Sequence, residues 1–370
     1  MTAFGKALGW AEVPGFDRSL SWSQLFLTSE DLLPVGPEKQ TWSTINFIAF
    51  WIADSFNVNT WMIASTMVQA GLSWWQAWIC VWIGYGVVAP FIVANARPGA
   101  VYHITFPVVA RTSFGLWGSM WCVFNRGVMA CIWYGVQASI GGDCMKVMLR
   151  AMWPSIQNIP NHLPASSGTT TEDFMCFFLF WLISLPAIWF PIHKIRHLFT
   201  LKAIVAPTAG ITFFIWCIVK AKGVGPIIHQ PATLHGSALG WVSTVWFIAA
   251  SFIIAQLGTN ISANSISAGC DLTALFPRFI NIRRGGYVAA IVGLCMCPWN
   301  LLKDGTTFAT YLSAYSVFLS SIAGVMITDY YLIRKGHYRV ADLYNARKDG
   351  WYSYTYGVNF RHVSFSAASI

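Results

Sequence analysis

The stretch that decides the fold is an apolar run broken by polar side chains: Phe50-Trp51-Ile52-Ala53-Asp54-Ser55-Phe56-Asn57-Val58-Asn59-Thr60-Trp61. With its flanks it forms an apolar segment, residues 45–68, that is long enough to cross a bilayer, which takes about 20 residues of helix. Polar side chains are expensive in lipid and are therefore candidate functional residues. Asn and Thr are also poor helix formers. The stretch predicts a discontinuous membrane helix whose freed backbone groups line a cavity. A polar seam that bonds to neighbouring helices is the alternative.

The composition of the whole chain also indicates a membrane protein. Of its 370 residues 56% are hydrophobic and only 10% are charged, whereas soluble domains have roughly 25% charged residues. A soluble enzyme, a nucleic-acid binder and a secreted disulfide scaffold are therefore poor interpretations. The nine cysteines lie mostly inside apolar runs and lack metal-binding spacing. No catalytic motif is present, so we expect a protein that is not an enzyme and that holds no metal or cofactor.

Hydropathy along the chain predicts an all-α polytopic fold with about eight transmembrane helices. They lie near residues 45–68, 73–95, 119–141, 174–192, 199–219, 242–264, 287–302 and 307–333. With the N-terminus inside, 18 of the 23 basic residues, Lys202 among them, fall on the cytoplasmic side, as the positive-inside rule requires. The sequence thus predicts cytoplasmic tails, residues 1–41 and 334–370, on either side of a transmembrane domain, residues 42–333.

Two further spans carry polar residues that are candidates for binding a ligand. Trp133 and Gln137 are four residues apart and share one face of the third span. An indole plane beside a primary amide suits a flat heterocycle with a hydrogen-bonding edge, and a packing tryptophan is the alternative. The last part of the sixth span, residues 255–265, contains small residues together with Thr and Asn. Such residues allow close helix approach and offer oxygens to a cation or a ligand.

Five stretches of the chain resemble the fungal uracil/allantoin permeases, a branch of the first nucleobase–cation symporter family. They are residues 50–61, 129–137, 255–264, 276–285 and 297–301. The resemblance runs from about Trp22 to Arg361 and its motifs are specific. It implies a LeuT-like fold of two inverted five-helix repeats plus two further helices, in which substrate and cation bind at the midplane beside broken helices.

The resemblance also implies roles for individual residues. Substrate recognition falls on Trp133, which would stack on a nucleobase, and on the amides of Gln137 and Asn264, which would bond to its edge. Ala255, Gly258 and Thr259 would border the cation region, together with the broken first helix that Asn57 and Asn59 line. Fungal members look like proton symporters, which makes Asp54 the candidate proton-linked carboxylate; sodium as the coupling ion stays open.

The chain departs from the twelve-helix pattern of these permeases. The sequence after Trp241 resembles the family's eighth helix, so we expect the sixth and seventh helices to be missing, and the last two as well. A gene-model error, a splice deletion or a decayed copy would each explain this.

The resulting expectation is a proton symporter for a nucleobase-like heterocycle in the plasma membrane, with the lipid bilayer and a small molecule as partners and no nucleic acid. A truncated product that does not transport, or a transporter of another small solute, is the alternative. The sequence leaves open uracil, allantoin, uridine or a purine as the substrate, and it leaves the oligomeric state open.

Overall fold

Helices make up all the regular structure in the part of the chain that the structure describes. A computed structural model describes residues 11–14, 17, 19–58, 60–62, 74–222, 260–302 and 319–360. Within these ranges the β pairing is limited to one isolated bridge, between Thr355 and Val358. Helices α1 to α11 are Trp22–Thr28, Thr44–Ser55, Trp74–Tyr102, Phe106–Phe114, Ser119–Met152, Thr171–Trp189, Ile192–Ala221, Ile266–Leu275, Ile282–Cys295, Trp299–Leu302 and Leu319–Ile333.

The described helices follow most of the predicted spans but differ from them at their ends. By length and composition, α6 and residues 192–220 of α7 could each cross a membrane. Helix α5 does not stop near residue 141 but continues to Met152. Of the sixth predicted span, only residues 260–264 lie in the described part, and there the chain forms a π-helical turn, Asn260–Ser265, that leads directly into α8.

Ion pairs with α6 hold the extension of α5 in place. Arg150 lies 2.6 Å from Glu172, and Lys146 pairs with Asp173. Both acids lie in the first turn of α6, where a carboxylate also interacts favourably with the helix dipole. The hydropathy of α5 falls at Gly141-Gly142-Asp143, but these contacts keep the chain helical beyond that point.

Helix α5 is the central element of the described packing. It contacts α6, α8, α9 and the π-helical turn, while α2 pairs with α7. A Cβ atom added to Gly135 would lie 2.9 Å from the carbonyl oxygen of Gly293, so α5 and α9 meet backbone to backbone. Close approach of this kind needs small residues and gives tight helix association in a membrane. It fixes α5 at the level of Trp133 and Gln137.

A second packed region joins α1, α4 and the segment that follows α11. The buried guanidinium of Arg111, on α4, donates hydrogen bonds to the carbonyl oxygens of Phe26 (2.7 Å), Leu343 (2.8 Å) and Leu27 (3.2 Å). Burial lowers the pKa of Arg111 to about 10, against an opposing effect of Tyr344. The side chain therefore stays charged at neutral pH and fastens both segments to α4.

Candidate functional site

The first predicted span is interrupted where its polar residues occur, as the sequence analysis expected. Helix α2 ends at Ser55, Phe56 leaves the helical region at φ −89° and ψ 80°, and helical conformation resumes at Val58. A break of this kind leaves backbone donors and acceptors without their intrahelical partners. In lipid such groups must find partners inside the protein.

Asn57 supplies those partners. Its Nδ2 atom donates to the carbonyl oxygen of Asp54, and its Oδ1 atom accepts from the backbone N–H of Thr60 at 3.1 Å. The hydroxyl of Thr60 donates to the carbonyl oxygen of Ser55 at 2.9 Å. Asn57 therefore lies in the break, is buried, and joins the last turn before the break to the first turn after it.

Asp54 lies at the same break and faces a buried lysine. One carboxylate oxygen, Oδ1, is buried and has no hydrogen-bond partner in the described part of the chain. Lys202, on α7, interacts with Asp54 electrostatically, and its side chain is 0% exposed. Lys202, which the sequence places among the cytoplasmic basic residues, is therefore not part of an exposed loop: its side chain is buried in the helix packing. The signal that could have identified it was its position inside an apolar span, where an ionisable residue is a functional candidate by default.

Trp133 and Gln137 lie on one face of α5, close to the segment that follows the break. Trp133 is half-buried and belongs to an apolar cluster that also contains Val58, Met62 and Leu301. Gln137 is 4% exposed, and its Oε1 atom has no hydrogen-bond partner among the described residues. Because an unpaired buried amide oxygen costs free energy, this atom is suited to accept a hydrogen bond from a ligand.

Asn264 is connected to α5 through Asn260, a residue that was not among those predicted from the sequence. The Nδ2 atom of Asn264 donates to Oδ1 of Asn260 at 3.1 Å. The Nδ2 atom of Asn260 donates in turn to the carbonyl oxygen of Tyr134 at 3.2 Å. Both asparagines lie in the π-helical turn, a deviation from α-helix that is frequent at functional sites.

The structure thus brings together the helix break, Trp133, Gln137 and Asn264 within one packed region. The other four residues singled out from the sequence lie outside the described residues: Asn59, Ala255, Gly258 and Thr259. Among the described residues, Trp133 and Gln137 share one face of α5, the buried amide oxygen of Gln137 has no hydrogen-bond partner, and the amide of Asn264 is held by its hydrogen bond to Asn260. These are the elements needed to bind a flat, polar heterocycle without covalent chemistry.

A family model described as permease for cytosine/purines, uracil, thiamine, allantoin matches residues 34–253 and 240–370. An uncharacterized permease of Schizosaccharomyces pombe is 45% identical, over 92% of this chain and 72% of its own length. The uracil permease of Saccharomyces cerevisiae is 38% identical, over 92% of this chain and 68% of its own length. The chain belongs to this permease family. Its members are transporters and not enzymes.

The fold is also found among solved structures of this permease class. Mhp1, a nucleobase-cation-symport-1 family transporter in a closed conformation with bromovinylhydantoin bound, matches with a TM-score of 0.71. The match covers 90% of this chain and 87% of Mhp1, at 19% identity. The chain therefore has the LeuT-like transporter fold that the resemblance implied.

The permease family also shows that this chain is short. The alignment with the Schizosaccharomyces pombe permease runs over 425 positions. It includes 92% of 370 residues, about 340, so about 85 positions of the relative have no counterpart here. The two matched segments of the family model meet between residues 240 and 253. The gap expected near Trp241 agrees with this, although its position lies outside the described residues.

Proposed function

We propose that the chain is a proton-coupled permease for uracil, allantoin or a closely related flat heterocycle. Trp133 stacks on the ring of the substrate, and Gln137 and Asn264 bond to its polar edge. Asp54 takes up and releases the coupled proton, next to a coupling region formed by Ala255, Gly258 and Thr259. The protein is inserted in the plasma membrane with both termini in the cytoplasm.

One observation carries this proposal: the buried Oε1 atom of Gln137 has no hydrogen-bond partner within the described ranges, and Gln137 lies on the same helix face as Trp133. An acceptor fixed in this way favours a ligand that presents an N–H group in the plane of its ring. Heterocyclic imides and ureas, such as uracil and allantoin, carry such groups. An amino acid would instead need partners for an ammonium and a carboxylate.

Uptake of radiolabelled uracil, by the full chain in a yeast host without its own uracil and allantoin permeases, tests the proposal. Base stacking on an aromatic side chain is worth about 1–3 kcal/mol, so Trp133→Ala should weaken uracil affinity about 5- to 150-fold. Trp121→Ala is the matched control, because Trp121 is on the same helix but 46% exposed. Full uptake by Trp133→Ala would refute the site.

A second candidate function, a membrane protein that does not transport, is favoured by the roughly 85 unmatched positions of the relative. The resemblance implies a substrate site at the midplane beside broken helices, and the absence of the sixth and seventh helices would leave that site incomplete. Uracil uptake no greater than in the empty host, with the chain present in the membrane fraction, would refute the transporter and favour this candidate. Uptake above that level would exclude it.

A further inference from the structure

Lys202 lies on the face of α7 that packs against the broken helix. Phe199, Lys202, Ala206 and Gly210 are spaced three, four and four residues apart, so they form one stripe along the helix. Phe199, Lys202 and Ala206 are each at most 1% exposed. The other residues of the stripe are apolar or small, and Lys202 differs from them because it carries a buried ammonium group.

Contacts on either side of Lys202 fix its level relative to the break. Phe199 contacts Phe50, with ring centroids 5.4 Å apart. Further along the stripe, a Cβ atom on Gly210 would lie 2.6 Å from the ring of Phe56. Lys202 lies between these contacts on α7, and Asp54 lies between them on α2. The two charges therefore face each other, as their electrostatic interaction also indicates.

We propose that Lys202 is the fixed cation of the permease: its ammonium group compensates the charge of Asp54 and so stabilises the ionised carboxylate that remains at the helix break after the coupled proton is released. A lone carboxylate inside a membrane protein is strongly disfavoured, and a nearby cation offsets that penalty. Lys202 acts through Asp54 and is a positioning residue. Its part in coupling rests on the proposed function, whereas the charge pairing rests on the contacts alone.

The pairing is tested by the thermal stability of the purified full chain in detergent, with Lys202→Met, Asp54→Asn and the double variant. Each single variant leaves one buried charge without its partner, so its melting temperature should fall by roughly 5 °C or more. The double variant should recover most of that loss, because neither charge remains. Lys194→Met is the control, since Lys194 is exposed on the same helix. A double variant that melts at or below the lower single variant would overturn the pairing.

Uracil uptake then tests the part in coupling. Lys202→Met should lower the maximal rate at least about tenfold with a smaller change in KM, and Lys202→Arg, which keeps the charge, should restore most of the rate. Uptake by Lys202→Met equal to that of the unmodified chain would overturn the coupling role. Uptake absent from the unmodified chain would instead refute the proposed function, and the melting comparison would still decide the pairing.

Discussion

Replacing Asn57 with alanine tests how the helix break is stabilised. The substitution removes two hydrogen bonds, one to the carbonyl oxygen of Asp54 and one from the backbone N–H of Thr60. A buried backbone group left without a partner costs about 1–3 kcal/mol. Because the two groups are only part-buried, we expect Asn57→Ala to lower the free energy of unfolding by about 2–4 kcal/mol. For a chain of 370 residues this corresponds to a fall of roughly 3–5 °C in melting temperature.

The chain offers its own reporters for this measurement. Cys122, Cys131, Cys176 and Cys270 are buried free thiols, so a thiol-reactive fluorogenic dye reports unfolding as they become accessible. Asn125→Ala is the matched control, since the amide of Asn125 bonds to a carbonyl oxygen within regular helix α5.

Two outcomes bear on the reasoning about this break. Asn57→Asp keeps the acceptor for Thr60 but replaces the donor with a carboxylate oxygen that faces the carbonyl oxygen of Asp54. Because it also buries a charge, it should melt no higher than Asn57→Ala. If Asn57→Ala melts within about 1 °C of the Asn125→Ala control, the amide of Asn57 does not stabilise the break and the reasoning is refuted.

Three further substitutions probe the packing around the site. Gly135→Ala should destabilise the chain by about 1–3 kcal/mol through overpacking against α9. Gly84→Ala, which adds a methyl group in open space, should leave the melting temperature unchanged or raise it. Equal melting temperatures for the two variants would contradict the close contact between α5 and α9. Asn260→Ala should remove the acceptor of the Asn264 amide and weaken uracil binding in a competition assay, and it should lower the melting temperature less than Gly135→Ala does. Unchanged uracil affinity would show that Asn260 does not support the site. Arg111→Met should increase hydrogen exchange in α1 and in residues 340–344 together, and faster exchange in only one of them would contradict their common anchor.

The break itself could be predicted from the sequence, but not the way in which it is repaired. Polar residues that form helices poorly, placed in the middle of an apolar span, are sufficient to predict a discontinuity. Which side chain then satisfies the free backbone groups depends on dihedral angles at Phe56 that no hydropathy pattern contains. The spacing of Trp133 and Gln137 likewise predicts a shared face, but the unpaired state of the Gln137 oxygen depends on its neighbours in space.

Lys202 shows what a count of charges along the chain does not contain, namely whether each charged side chain is exposed or buried. It follows the basic residues Lys194 and Arg196 closely in sequence, so a tally by loops assigns all three to one side of the membrane. The structure separates them: Lys194 is exposed at the start of α7, while Lys202 is fully buried two turns later. Its helical spacing from Phe199 and Ala206 contained this information, because a residue on an apolar stripe turns inward with it.

The hydrogen bonds of Arg111 also constrain the order in which the protein is made. Phe26 and Leu27 leave the ribosome long before Leu343, which lies 232 positions beyond Arg111. Domains fold as synthesis proceeds from the N-terminus, and a contact of such long sequence separation forms only after its last partner has been synthesised. Until then the guanidinium of Arg111, on α4, lacks one of the three carbonyl oxygens to which it donates in the folded protein. The region around α1 therefore closes only after Leu343 has been synthesised, and until then it is exposed to chaperones and proteases during biogenesis.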